Sequence, residues 1–172
     1  IQEKNEVLNF ISESDALTGC MNRRGFIEKT LQMNRDHEGE ELLILFADLD
    51  HLKEINDSFG HIEGDFSIRH CAEVLKKVVG ADGIVGRIGG DEFCVVTLGN
   101  LKDGQQIIER IREESDAFNC TSDKEYYVEL SAGCTSVICR NGLVIADALR
   151  EADRALYEVK KLRRNSVKKI RL

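Results

Sequence analysis

The chain has 172 residues, 42% of them apolar and 32% charged, which is the balance of one globular domain with one substantial core and argues against a disordered or fibrous chain. Its net charge of −7 argues against a general nucleic-acid or membrane-surface binder, because phosphate groups repel such a surface. Six cysteines (20, 71, 94, 120, 134 and 139) show no CxxC pair and no zinc spacing, so they are expected as free thiols of a reducing, cytoplasmic compartment.

Ile1, Val7, Leu8 and Ile11 lie among charged and polar neighbours and predict a helix over residues 1–14, a linker arriving from upstream. The domain proper is expected over 15–172. Asp15 to Gly19 breaks the linker, and a helix from Arg23 to about Asn34 carries Phe26, Ile27, Thr30 and Leu31 on one side. Leu42 to Ala47 is short and continuously apolar, which predicts a strand buried on both faces, ending abruptly in Asp48-Leu49-Asp50. A polar stretch interrupted by Gly60 and Gly64 follows, then a helix with Ile68, Ala72, Leu75 and Val79 at the spacing of one face. Ile84–Ile88 and Glu92–Leu98 predict a hairpin closed by a Gly-Gly-Asp turn. A helix through Ile107, Ile111 and Phe118 comes next, then strand-forming residues from Tyr126 to Ile138, interrupted at Ala132-Gly133. The last helix carries Ile145, Leu149, Ala152, Leu156 and Val159. This mixed order predicts an α/β or α+β fold with helices packed on a central sheet. No apolar run reaches the length of a membrane span and no signal peptide is visible, so no direct membrane contact is expected.

Two acidic clusters stand where strands should end. Asp48 follows the apolar strand, and Asp91-Glu92 occupies the hairpin turn. Converging hard oxygen donors suit Mg2+ with phosphate oxygens, whereas a lone strand-terminal Asp is more often a turn or cap residue. A calcium EF-hand is a poor fit, because counting from Asp48 places Lys53 at the glycine position and Phe59 at the bidentate Glu position. Gly89-Gly90 has two readings: a tight turn that needs positive φ, or a bare backbone on which a nucleotide can lie. Asn56 and Asp65 likewise read either as helix N-caps or as groups for a purine edge. The basic run Lys160, Lys161, Arg163, Arg164, Lys168, Lys169 and Arg171 is either a solvated helix face or a site for a small phosphorylated ligand, with Lys160 and Arg164 one helical turn apart.

In combination these strings resemble one family. Arg87-Ile88-Gly89-Gly90-Asp91-Glu92-Phe93 resembles the signature of the GGDEF diguanylate cyclases. Asp15 to Arg24 is similar to the family's D-x-L-T-G-L-x-N-R-R. Asp48 to His61 is similar to D-x-D-x-F-K-x-x-N-D-x-x-G-H, with Gly64-Asp65 at the family spacing. Ala152 to Tyr157 and Lys160 to Asn165 resemble A-D-x-A-L-Y-x-A-K-x-x-G-R-N.

The resemblance implies a nucleotidyl-cyclase-like fold with a mostly antiparallel, five-stranded central sheet flanked by helices, the signature turn lying in a hairpin. It implies that Asp48, Asp91 and the backbone carbonyl of Leu49 hold Mg2+ (Mn2+ as the alternative), with Glu92 reaching a second ion. Asn56 and Asp65 would bind guanine. The backbone of His51, Leu52 and Lys53, with Lys160 and Arg164, would hold the triphosphate, and Gly89 and Gly90 would let it approach. Lys53 would stabilise charge at phosphorus, and Asp91 or Glu92 would accept the proton of the attacking hydroxyl. The implied reaction condenses two GTP into cyclic di-GMP and two pyrophosphates on a homodimer with one GTP per subunit. A GTP-binding signalling or dimerisation module without turnover is the alternative, and a mixed cyclase that also uses ATP is disfavoured by Asp65.

Three departures from the family pattern matter. Leu52 replaces Phe, an apolar swap of similar volume. Arg163 replaces Gly, which would strain the backbone and displace Arg164 if the position needed positive φ. Gly80-Ala81-Asp82-Gly83 stands where many members carry an inhibitory RxxD, so product inhibition through that site is not expected.

Overall fold

A computed structural model describes residues 13–167, with side chains through Arg163. The linker helix expected over 1–14 therefore lies almost wholly outside the described residues. In chain order the elements are α1 (Arg23–Asp36), β1 (Glu41–Leu49), α2 (Leu52–Phe59), α3 (His61–Val79), β2 (Ile84–Arg87), β3 (Glu92–Leu98), α4 (Leu101–Thr121), β4 (Leu130–Ile138) and α5 (Ile145–Val167). The strands form a four-stranded sheet in the order β2-β3-β1-β4, with every ladder antiparallel.

The apolar run of β1 makes it a central strand with two buried faces. Leu43, Leu45, Ala47 and Leu49 pack with Ile68, Cys71, Ala72 and Leu75 of α3 and Ile111 of α4. Leu42 and Ile44 point the other way, onto Phe26 of α1 and Ala148 and Ala152 of α5. Asp48 continues this second register. Its cross-strand neighbours Glu92 and Ser131 share that face, so the alternation that builds the α1–α5 core also sets the acidic site.

The sheet has four strands, not the five expected. At the β2 edge Met21 makes only a single parallel bridge to Gly86, giving its N–H to the Val85 carbonyl and accepting from Arg87. Asn22 then caps α1, its side chain accepting from the Gly25 N–H, and the chain leaves the sheet before a ladder forms. The strand expected from Tyr126 starts at Leu130, because Asn119 of α4 takes both backbone groups of Val128, at 2.9 and 3.0 Å. Ala132-Gly133 is not an interruption either. A Cβ at Gly133 would lie 2.1 Å from the Leu156 nitrogen, so the glycine lets α5 settle on β4. The polar stretch after β1 contains the helix α2, in which only Ile55 is buried. No helix among the described residues is long and apolar enough to cross a membrane.

Candidate functional site

The site gathers where β1 ends. Burial pushes the Asp48 carboxyl above its ordinary value, and the nearby Asp91 and Asp50 add to that push. The opposing influence is Lys160 of α5, whose Nζ lies 2.7 Å from Asp48 Oδ1 and 3.5 Å from Asp50 Oδ1. Burial wins over the ion pair, so the Asp48 carboxyl stays above its ordinary value although Lys160 lies against it. The Leu49 N–H donates to the Asp91 carbonyl at 2.9 Å, which ties the signature turn to the strand end. Among the described residues no three His, Cys, Asp or Glu side chains gather as a ligand cluster. The expected donor set, two or three carboxylates with a main-chain carbonyl, is nevertheless hard oxygen of the kind Mg2+ takes.

The signature turn is held from outside. Arg87 donates to the Gly90 carbonyl through Nη2 (2.8 Å) and Nε (3.2 Å), while its Nη1 lies 3.2 Å from Asp15 Oδ1. Asp15 in turn accepts from the Thr18 N–H and hydroxyl. Neither Gly89 nor Gly90 has φ in the left-handed region, so the tight-turn reading of the pair fails. A Cβ at Gly89 would come within 2.4 Å of Glu92 Oε2, the movable end of that side chain, which would have to shift. At Gly90 nothing lies within 4 Å, and the space is open.

His51 is the only described non-glycine residue with positive φ (60°), a cost on the order of 1 kcal/mol. It caps α2 without a side-chain hydrogen bond, so the first-turn N–H groups of that helix have no side-chain cap. Lys53 in this turn is exposed and Leu52 half-buried against the α3–α4 core.

Asn56 and Asp65 are not N-caps. They lie inside α2 and α3, whose caps are His51 and Gly60. The Asn56 amide rests on Gly64, where a Cβ would come within 1.9 Å of its Oδ1. Arg163 is helical, within an α5 that runs to Val167, so the feared backbone strain does not arise. The Arg164 side chain lies outside the described residues.

Four residues without an assigned role belong to this region. Arg87 and Asp15 hold the turn, and both stand inside the family-like strings. Arg23 and Asp153 border a groove of about 560 Å3 between α1 and α5, which reaches Glu92 and is floored by Ile27, Phe46, Ile88 and Leu149.

Comparison with known proteins fits this geometry. The model of the family described as "Diguanylate cyclase, GGDEF domain" matches residues 12–166. The diguanylate cyclase DgcP of Escherichia coli K12 is 37% identical over 166 residues, covering 94% of this chain and 48% of the relative. The cyclic di-GMP phosphodiesterase NbdA of Pseudomonas aeruginosa is 31% identical over 162 residues, covering 92% of this chain and 21% of the relative. The chain thus spans half or less of these relatives. In structure it is similar to the diguanylate cyclase SiaD, solved in complex with its activator SiaC from Pseudomonas aeruginosa. The TM-score is 0.79 at 28% identity, covering 93% of this chain and 62% of that one. With Asp48, the signature turn and Lys160 assembled at one strand end, the chain belongs to the GGDEF family of diguanylate cyclase domains.

Proposed function

We propose that this domain is a diguanylate cyclase that condenses two GTP, one on each subunit of a homodimer, into cyclic di-GMP and two pyrophosphates. The observation that carries the reading is the meeting of Asp48, Lys160 and the Asp91 turn beside the left-handed residue His51. A divalent ion held there by Asp48, Asp91 and the Leu49 carbonyl, with Glu92 toward a second, would supply Lewis acidity at phosphorus and acidify the attacking hydroxyl.

The chain's own residues do the rest. Lys160, now on Asp48, passes to the triphosphate, joined by Arg164 and the uncapped N–H groups at the start of α2. Asp65 accepts from guanine N1–H and N2–H, and Asn56 offers a donor and an acceptor to the same base. An adenine there would leave the Asp65 carboxylate without its donors, which favours GTP. The bare Gly89 and Gly90 backbone lets the phosphates approach the turn. The 3′-oxygen of one GTP attacks the α-phosphorus of the other, the bond to the bridging oxygen breaks and pyrophosphate leaves, and the reciprocal attack then closes the ring with loss of a second pyrophosphate. Asp91 or Glu92 takes the hydroxyl proton, and Lys53 offsets charge developing at phosphorus. One domain carries one such nucleotide site, so two domains must face each other, brought together by the linker of residues 1–14 under an upstream sensor. A cytoplasmic setting follows from the substrate.

The second reading is a GTP-binding signalling or dimerisation module without turnover. It is favoured by the similarity to NbdA, a relative named for a phosphodiesterase activity. Incubation with GTP and Mg2+, with products separated by mass, decides between the two. Cyclic di-GMP that forms with the native chain and disappears in Asp91→Ala supports the cyclase. Bound GTP without product, at concentrations that permit dimers, supports the module.

A further inference from the structure

We propose that Arg163 is a positioning residue of the triphosphate site, holding Asp50 against Ser131 so that Lys160 remains available to the nucleotide. The inference rests on the reading of this site as a GTP site.

The family-like string has glycine at this position, which would weaken the helix there. Here α5 continues to Val167, and the extra turn carries the Arg163 guanidinium back to the strand ends. Nη1 lies 3.3 Å from Asp50 Oδ2 and donates to Ser131 Oγ at 3.1 Å. The Ser131 hydroxyl donates to the same Asp50 oxygen at 2.6 Å. The other Asp50 oxygen faces Lys160 Nζ at 3.5 Å, while Lys160 is closer to Asp48, at 2.7 Å. Two carboxylates therefore share two cations, with Asp50 only 14% exposed against 43% for Arg163.

Remove the guanidinium, and among the described residues Lys160 is left to face the buried Asp50. A phosphate would then compete for Lys160 against two carboxylates instead of one. It would also meet the uncompensated charge of Asp50 beside the α2 turn, since Asp50 directly precedes His51. The Asp50 N–H donates to the Glu129 carbonyl at 2.9 Å, so its main chain is fixed independently of Arg163. Glycine could do none of this. The substitution that looked like a defect in the string supplies a second cation where the acids are densest.

The test compares Arg163→Gln, which keeps helix propensity and removes charge, with Arg163→Lys, Asp50→Asn and the Arg163→Gln/Asp50→Asn double variant. Calorimetry with Mg2+ and 3′-deoxy-GTP, which lacks the attacking hydroxyl, reads binding alone, and KM and kcat for GTP are measured alongside. Arg163→Gln should weaken binding and raise KM about fivefold, the scale of a half-exposed ion pair, with kcat within about twofold. Lysine should restore most of the loss, and the double variant should bind like Asp50→Asn. Native-like binding by Arg163→Gln, even with a lowered Tm, overturns the proposal. So does an equal loss in the Asp50→Asn background, which would mean that Arg163 touches the nucleotide itself. Failure of the native chain to bind the nucleotide would instead sink the GTP reading, a distinct result.

Discussion

Gly133→Ala tests how the active-site helix is seated. The added Cβ would fall 2.1 Å from the Leu156 nitrogen and 2.5 Å from the Ala155 carbonyl carbon, both main-chain atoms of α5. Main chain cannot swing aside as a side chain does, so α5 must retreat by about 1.5 Å to restore ordinary contact. Overpacking against a side chain typically costs roughly 1–3 kcal/mol, and a main-chain wall places this case at the top of the range, about 3 kcal/mol. Gly133 does not have left-handed φ, so alanine adds no backbone strain and recovers roughly 0.5 kcal/mol by stiffening the unfolded chain. The net loss of about 2.5 kcal/mol corresponds to roughly 5–10 °C in Tm for a domain of this size. Urea unfolding followed by circular dichroism measures it. Lys160 lies one turn beyond Leu156, so the same retreat should loosen its 2.7 Å contact with Asp48 and weaken GTP binding about tenfold. A loss below about 0.5 kcal/mol at unchanged m-value would mean that α5 does not bear on Gly133, and the account of the helix carrying Lys160 and Arg163 would fall with it.

Gly90→Ala enters open space without left-handed φ, so stability should stay within about 0.5 kcal/mol while GTP affinity falls at least about tenfold. Unchanged affinity in a calorimetric titration would remove the nucleotide from the turn. Gly64→Ala should push the Asn56 amide off its seat, lowering GTP affinity about tenfold and narrowing the preference for GTP over ATP in a competition assay. An intact preference would mean that Asn56 does not read the base. Burial raises the Asp15 carboxyl, but Thr18 and Arg87 outweigh it and hold the group below its ordinary value of 3.8. A depressed folded-state value gives stabilisation that is complete above 3.8 and lost as pH falls through the lower value. Asp15→Asn should therefore cost about 2 kcal/mol at neutral pH, with the gap to the native chain closing only below pH about 3.8. Urea unfolding across pH 7 to about 2.5 checks this, and a gap independent of pH would rule out the charge of Asp15 as its source.

The elements that could be read from the sequence are those whose burial is periodic within the element. Ile68, Ala72 and Leu75 recur on the buried side of α3, and the unbroken apolar run of β1 is buried on both faces. Elements set by distant partners were not legible. The start of β4 depends on Asn119, the seating of α5 on Gly133 is visible only as a main-chain approach, and α2 buries a single residue and has no Ser, Thr, Asp or Asn at its cap. Each lacks a local pattern because its cause lies elsewhere in the chain.

The site divides the same way, and the division explains which of its two-sided readings could be decided. Acid positions follow from strand ends, which periodicity locates, so Asp48 and the turn at Asp91 were legible. Whether Asn56 and Asp65 cap helices depends on where α2 and α3 begin, at a left-handed histidine and at Gly60, and a left-handed histidine is a start that no cap rule anticipates. Whether Gly-Gly closes a turn or clears a surface depends on φ and on the reach of Glu92, neither written locally. Arg163 is the sharpest case. Read along the chain, it replaces a glycine and suggests strain. Read across the fold, its helix simply continues, and the guanidinium meets Asp50, 113 positions away in sequence. A side chain's role follows from what its element allows it to reach, so the same departure can mark a gain where the sequence alone suggests a loss.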